Sequence, residues 1–116
     1  DSSTNYDLQY LTSFDTTVSA SKVVGVQHNV LGSFSAASST SGLSGSCVSF
    51  ISNIRSTLHK NTFSMAYTPE TSAGVPSNNF YTGVWKSANP VETVYIFPSS
   101  GTNIQAGSFI GVYGLI

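Results

Sequence analysis

The chain has 116 residues, with four Lys or Arg, five Asp or Glu and a formal net charge of −1. A length of this order belongs to one domain, so residues 1–116 are read as a single unit. The four basic residues Lys22, Arg55, Lys60 and Lys86 stand far apart, which excludes the clustered cations that phosphate backbones and anionic lipid surfaces require. Neither a nucleic-acid nor a membrane partner is therefore expected.

Only 8% of residues are charged, while Ser and Thr make up about three in ten. Six Tyr, seven Phe and Trp85 supply ring area for a packed fold, so solubility rests on hydroxyls and amides rather than on charge. Cys47 is the only cysteine, and no intrachain disulfide can form.

In chain order, Tyr6–Phe14 alternates Tyr6, Leu8 and Tyr10 against polar neighbours, the period-two pattern of a half-buried strand. Lys22–Leu31 carries Val23, Val24, Val26, Val30 and Leu31, a second β-rich run broken at Gly25. Ala36–Ser46 is small and hydroxylic and reads as an interstrand loop. Cys47–Ile54 and Thr57–Tyr67 alternate again, the latter setting Phe63, Met65 and Tyr67 on one side. Thr68–Asn79, with Pro69, Gly74 and Pro76, reads as a loop, and Phe80–Trp85 as a short aromatic strand. Val91–Phe97 and Phe109–Leu115 read as an adjacent closing pair. Pro98 and Gly101 end the first, and Gly107 makes a turn before the second with Ser108 bonding nearby backbone. No window shows sustained helical periodicity. The expectation is an all-β chain of seven or eight short strands, arranged as a jelly-roll-like antiparallel β-sandwich.

The ending also carries a resemblance. Ser99-Ser100-Gly101, Ala106-Gly107-Ser108 and Tyr113-Gly114-Leu115-Ile116 follow one another between apolar segments. Upstream, Ile54-Arg55-Ser56-Thr57, Lys60, Phe63-Ser64 and Tyr81-Thr82-Gly83-Val84-Trp85 come in matching order. This set resembles bacteriophage virion surface proteins, the β-sandwich domains of tail fibres, head fibres and decoration proteins, over about Ile51 to Ile116 and weakly before that. The resemblance implies a structural component of the virion surface, with other copies of the chain (a homotrimer by analogy), other virion proteins and host-surface glycans as partners. Relatives of this kind place two or three strands ahead of the turn that resembles Asp1–Asp7. The sandwich is therefore expected to lack its first strands here.

Catalytic chemistry has no foothold in the pattern. Asp1, Asp7, Asp15, Glu70 and Glu92 are dispersed, and His28 and His59 have no Cys, Asp or Glu at ligand spacing. Neither a catalytic set nor a metal site nor a cofactor is expected, and the chain is not read as an enzyme. Cys47 reads as a small buried strand residue. The one segment with binding chemistry is aromatic: Phe80, Tyr81 and Trp85, flanked by Asn78, Asn79 and Asn89, combine stacking surface with amide donors. They are the candidate ligand-binding residues, for glycans above all, although Phe80 and Trp85 also suit a core. The alternative reading is a carbohydrate-binding module of a bacterial secreted protein.

Overall fold

A computed structural model describes residues 3–33, 37, 42–69, 76–98 and 103–114. The chain is all-β: β1 (Tyr6–Phe14), β2 (Thr17–Val26), β3 (Ser46–Ile51), β4 (Lys60–Pro69) and β5 (Pro76–Trp85). All neighbours are antiparallel in one sheet of order β2-β1-β5-β4-β3. β1 has the bounds that its alternation predicts.

A two-residue hairpin, Asp15-Thr16, joins β1 to β2, with Asp15 at φ 51°. Asp tolerates this left-handed conformation better than most side chains. Near the far end of the pair the register shifts between Tyr6 and Leu8, opposite Gly25 at φ 66°. The Gly25 amide donates to Asp7 Oδ1 at 2.8 Å, and Lys86 Nζ pairs with the same oxygen at 2.9 Å. A bulge with a positive-φ glycine thus has its freed amide satisfied by a side chain. Between β3 and β4, Asn53 takes φ 61°; its backbone carbonyl accepts from the Ser56 amide and its side-chain Nδ2 donates to the His59 carbonyl.

The register sorts side chains onto two faces. One carries Leu8 and Tyr10 of β1, Asn79, Tyr81 and Trp85 of β5, Lys60, Thr62, Ser64 and Ala66 of β4, and Cys47 and Ser49 of β3. Every buried residue among those described lies on it. The segment 28–33, which follows β2, covers this face. Asn29 Nδ2 donates to Thr62 Oγ1, Ser49 Oγ donates to the Leu31 carbonyl at 2.6 Å, and Ser33 Oγ lies 3.0 Å from the Tyr81 hydroxyl. Two glycines permit so close a crossing. A Cβ on Gly83 would overlap the Asn29 amide, and one on Gly32 would lie 2.6 Å from Cys47 Sγ.

Beyond β5 the Lys86 amide donates to the Asn5 carbonyl, the Val91 amide to the Ile54 carbonyl at 2.8 Å, and the Phe97 ring meets His28 edge-on at 5.5 Å. Gly107 has φ 85°, and Ser108 donates through both its amide and its hydroxyl to the Gln105 carbonyl, the turn expected there.

The expected closing pair is corrected. Neither 91–97 nor 109–114 forms a strand, and Tyr95, Phe109, Val112 and Tyr113 are more than four-fifths exposed. β-branched and aromatic content favours a strand only where a neighbour offers its ladder, and no backbone hydrogen bond joins 109–114 to another described residue. The described strands form one five-stranded sheet. The expected turn at Ser99-Ser100-Gly101, Leu115, and much of the expected loops at 36–46 and 68–79 lie outside the described residues.

Candidate functional site

The two faces have exchanged their usual chemistry. On the covered face Lys60 and Ser64 are almost wholly inaccessible, and Ser77 and Asn79 are buried beside only two buried apolar residues, Leu8 and Ala66. On the open face Val48, Met65, Phe80 and Leu11 stand side by side across β3, β4, β5 and β1, each about 40–45% exposed. Phe50 and Phe63 flank that row on one side and Tyr67 on the other, all exposed to the same degree. The strand period of two places these residues together without any loop contribution. A shallow, open hollow of about 430 Å³ runs along β3, β4 and β5, lined by Val48, Met65, Tyr67 and Phe80 of the open face and also by Cys47, Ala66 and Asn79 of the covered one.

The candidate residues Phe80, Tyr81 and Trp85 do not converge. Phe80 is in the open apolar row, whereas Tyr81 and Trp85 point to the covered face. The Tyr81 ring lies tilted against Tyr10 with centroids 6.2 Å apart, and its hydroxyl meets Ser33. Trp85 stacks on Tyr6 at 6.2 Å with planes 12° apart, and Lys60 Nζ lies 5.5 Å from its ring centre. Trp85 and Tyr81 therefore act within the fold, and Phe80 alone of the three faces outward on the open side. Adjacent strand positions always part in this way, a signal that the period of β5 already carried.

The Lys60 ammonium donates to the carbonyls of Ser56 and Leu58 at 2.9 Å and of Ser87 at 3.1 Å. Three donors meet three acceptors, with the Trp85 ring beside them. No carboxylate is paired with it among the described residues. Sequence reasoning missed this lysine because nothing local distinguishes it from a solvated one.

Asp7 and Cys47 are both shifted by their neighbours. The Lys86 ammonium, followed by the Gly25 amide, holds the Asp7 carboxyl below the usual carboxylate range. Burial pushes the half-covered Cys47 thiol up, opposed by its hydrogen bond to Ser49, so the reactive thiolate is suppressed. Among the described residues no three of His, Cys, Asp and Glu come together as a metal site, and no helix is long and apolar enough to cross a membrane. The arrangement suits association through an apolar surface. No protein-family model matches the sequence, and no curated protein or solved structure matches it either.

Proposed function

We propose that this chain is a self-assembling structural module of a bacteriophage virion surface, belonging to a tail fibre, a head fibre or a capsid decoration. The observation that carries the reading is the open apolar row Val48–Met65–Phe80–Leu11, flanked by Phe50, Phe63 and Tyr67. Contiguous apolar area of this kind marks an interaction surface, and a net charge of −1 offers little repulsion against association. The C-terminal resemblance supplies the virion context, and with it a homotrimer by analogy and neighbouring virion proteins as further partners. A sandwich is then completed between subunits rather than within one chain. Glycan adhesion, where it occurs, belongs to the hydroxyl-rich loops at the sheet ends.

The carbohydrate-module alternative gains nothing from Trp85, whose ring is taken up by Tyr6 and Lys60 instead of forming an exposed platform. Two measurements test the proposal. Sedimentation equilibrium at micromolar concentration is expected to give a closed oligomer, and immunogold labelling with antibodies against this chain is expected to decorate intact particles. A stable monomer at millimolar concentration, together with unlabelled particles, overturns it.

A further inference from the structure

We infer that the partner covering the open sheet face is a second copy of this chain, which lays its C-terminal arm, Phe109–Gly114, across the Val48–Met65–Phe80–Leu11 row. The inference rests on the self-assembling reading above and specifies its contact.

Three observations meet here. The arm is apolar and uncovered, with Phe109, Val112 and Tyr113 at 82%, 88% and 82% exposure, although water gives such side chains no reason to stay out. Its side chains are also sorted. A Cβ on Gly111 would come within 3.2 Å of both the Phe109 and the Tyr113 rings, so the two rings flank a position with no side chain. An arm of that shape can bring its backbone close to a sheet while two rings reach down on either side. The open face offers an apolar row to receive those rings, Val48, Met65, Phe80 and Leu11 standing side by side and each about 40–45% exposed. Methionine adapts to an entering ring through its flexible, polarisable thioether.

The chain itself supplies the occupant: Phe109, Val112 and Tyr113 of the arm and the Val48–Met65–Phe80–Leu11 row are exposed in the same chain, and no backbone hydrogen bond joins 109–114 to another described residue. Arm and face occur once each per chain, so every copy gives one arm and accepts one. Such a reciprocal exchange closes as a dimer or a ring.

The test places the photoreactive residue benzoylphenylalanine at Phe109 of the full chain and mixes isotopically light and heavy subunits before irradiation. Cross-links from the arm to Met65, Phe80 or Val48 are expected, with mixed-isotope pairs. Met65 is the single methionine, which makes its adduct simple to assign. Same-isotope pairs only, or adducts on the β2 edge at Thr17–Val26, overturn the arm's placement while leaving self-assembly intact. A parallel chain ending at Ser108 is expected to keep its strand signal by circular dichroism and to sediment as a monomer. If it still forms the full oligomer, the arm is not the contact. If the intact chain is itself monomeric at millimolar concentration, the self-assembling reading fails as well.

Discussion

Lys60 and Trp85 face each other across β4 and β5, and the Lys60 ammonium sits 5.5 Å from the centre of the Trp85 ring. Three carbonyls close the rest of its shell, so a full charge is kept out of water by neutral partners. Lys60→Met keeps the aliphatic stem but leaves the Ser56, Leu58 and Ser87 carbonyls without this donor. A loss of about 2–4 kcal/mol is expected, lowering Tm by about 10 °C or more. Thermal unfolding followed by circular dichroism checks it against wild type at equal concentration. An unchanged Tm would mean that water replaces the ammonium without cost.

Asp7 gives a pH signature. Its folded carboxyl titrates lower than an unfolded aspartate because the Lys86 ammonium and the Gly25 amide favour the charged form. Its contribution is therefore complete above the unfolded value and disappears as the pH falls through the lower folded one. Wild type is expected to exceed Asp7→Asn in stability at pH 6, with the difference shrinking below about pH 4. Urea melts at several pH values measure it, and a difference that persists unchanged at pH 2 would contradict the linkage.

Gly32 lies against Cys47 so closely that a methyl group would sit 2.6 Å from the sulfur. Gly32→Ala is expected to lift the covering segment from β3 and to cost about 1–3 kcal/mol. Combining it with Cys47→Gly, which removes both the Cβ at 2.5 Å and the sulfur at 2.6 Å, should cost less than the two separate losses added together, since the substitutions share one contact. The same displacement is readable chemically, because the Cys47 thiol of the Gly32→Ala variant should react faster with a disulfide reagent than the wild-type thiol.

Tyr81 separates hydroxyl from ring. Tyr81→Phe removes the partner of Ser33 Oγ and is expected to cost about 1 kcal/mol. Tyr81→Ala also removes the ring from Tyr10, raising the loss to about 2–3 kcal/mol. Equilibrium unfolding in urea distinguishes the two steps. Equal losses would assign the whole effect to the Ser33 hydrogen bond.

Much of the sheet was legible because its strands alternate. Tyr6, Leu8 and Tyr10 announce β1 and its inner face, and Phe63, Met65 and Tyr67 announce one side of β4. β2 was placed five residues too late. Thr17–Ser21 contains only Val18 and Ala20 as apolar residues, and an edge strand exposed along nearly its whole length has no buried face to write into its sequence. Val23, Val24 and Val26 lie within β2, whereas Val30 and Leu31 belong to the covering segment. Sequence alone starts β5 at Phe80, because Ser77, Asn78 and Asn79 look like turn residues, yet Ser77 and Asn79 are buried within the ladder. Phe109–Tyr113 shows the opposite error, since strong strand propensity there meets no neighbouring ladder in the same chain. Which apolar face stays open depends on where the covering segment crosses, and that is a long-range property.

The hydroxyl- and amide-lined layer beneath residues 28–33 also bears on heat capacity. Unfolding a protein raises it through newly hydrated apolar surface and lowers it through newly hydrated polar surface. Four of the six buried residues of the covered face are the polar Lys60, Ser64, Ser77 and Asn79, against Leu8 and Ala66, while Val48, Met65 and Phe80 are already wet in the single chain. The isolated subunit should therefore melt along a shallow, nearly flat stability curve. Under the proposed self-assembly, the steeper calorimetric signature is expected at the step that brings chains together.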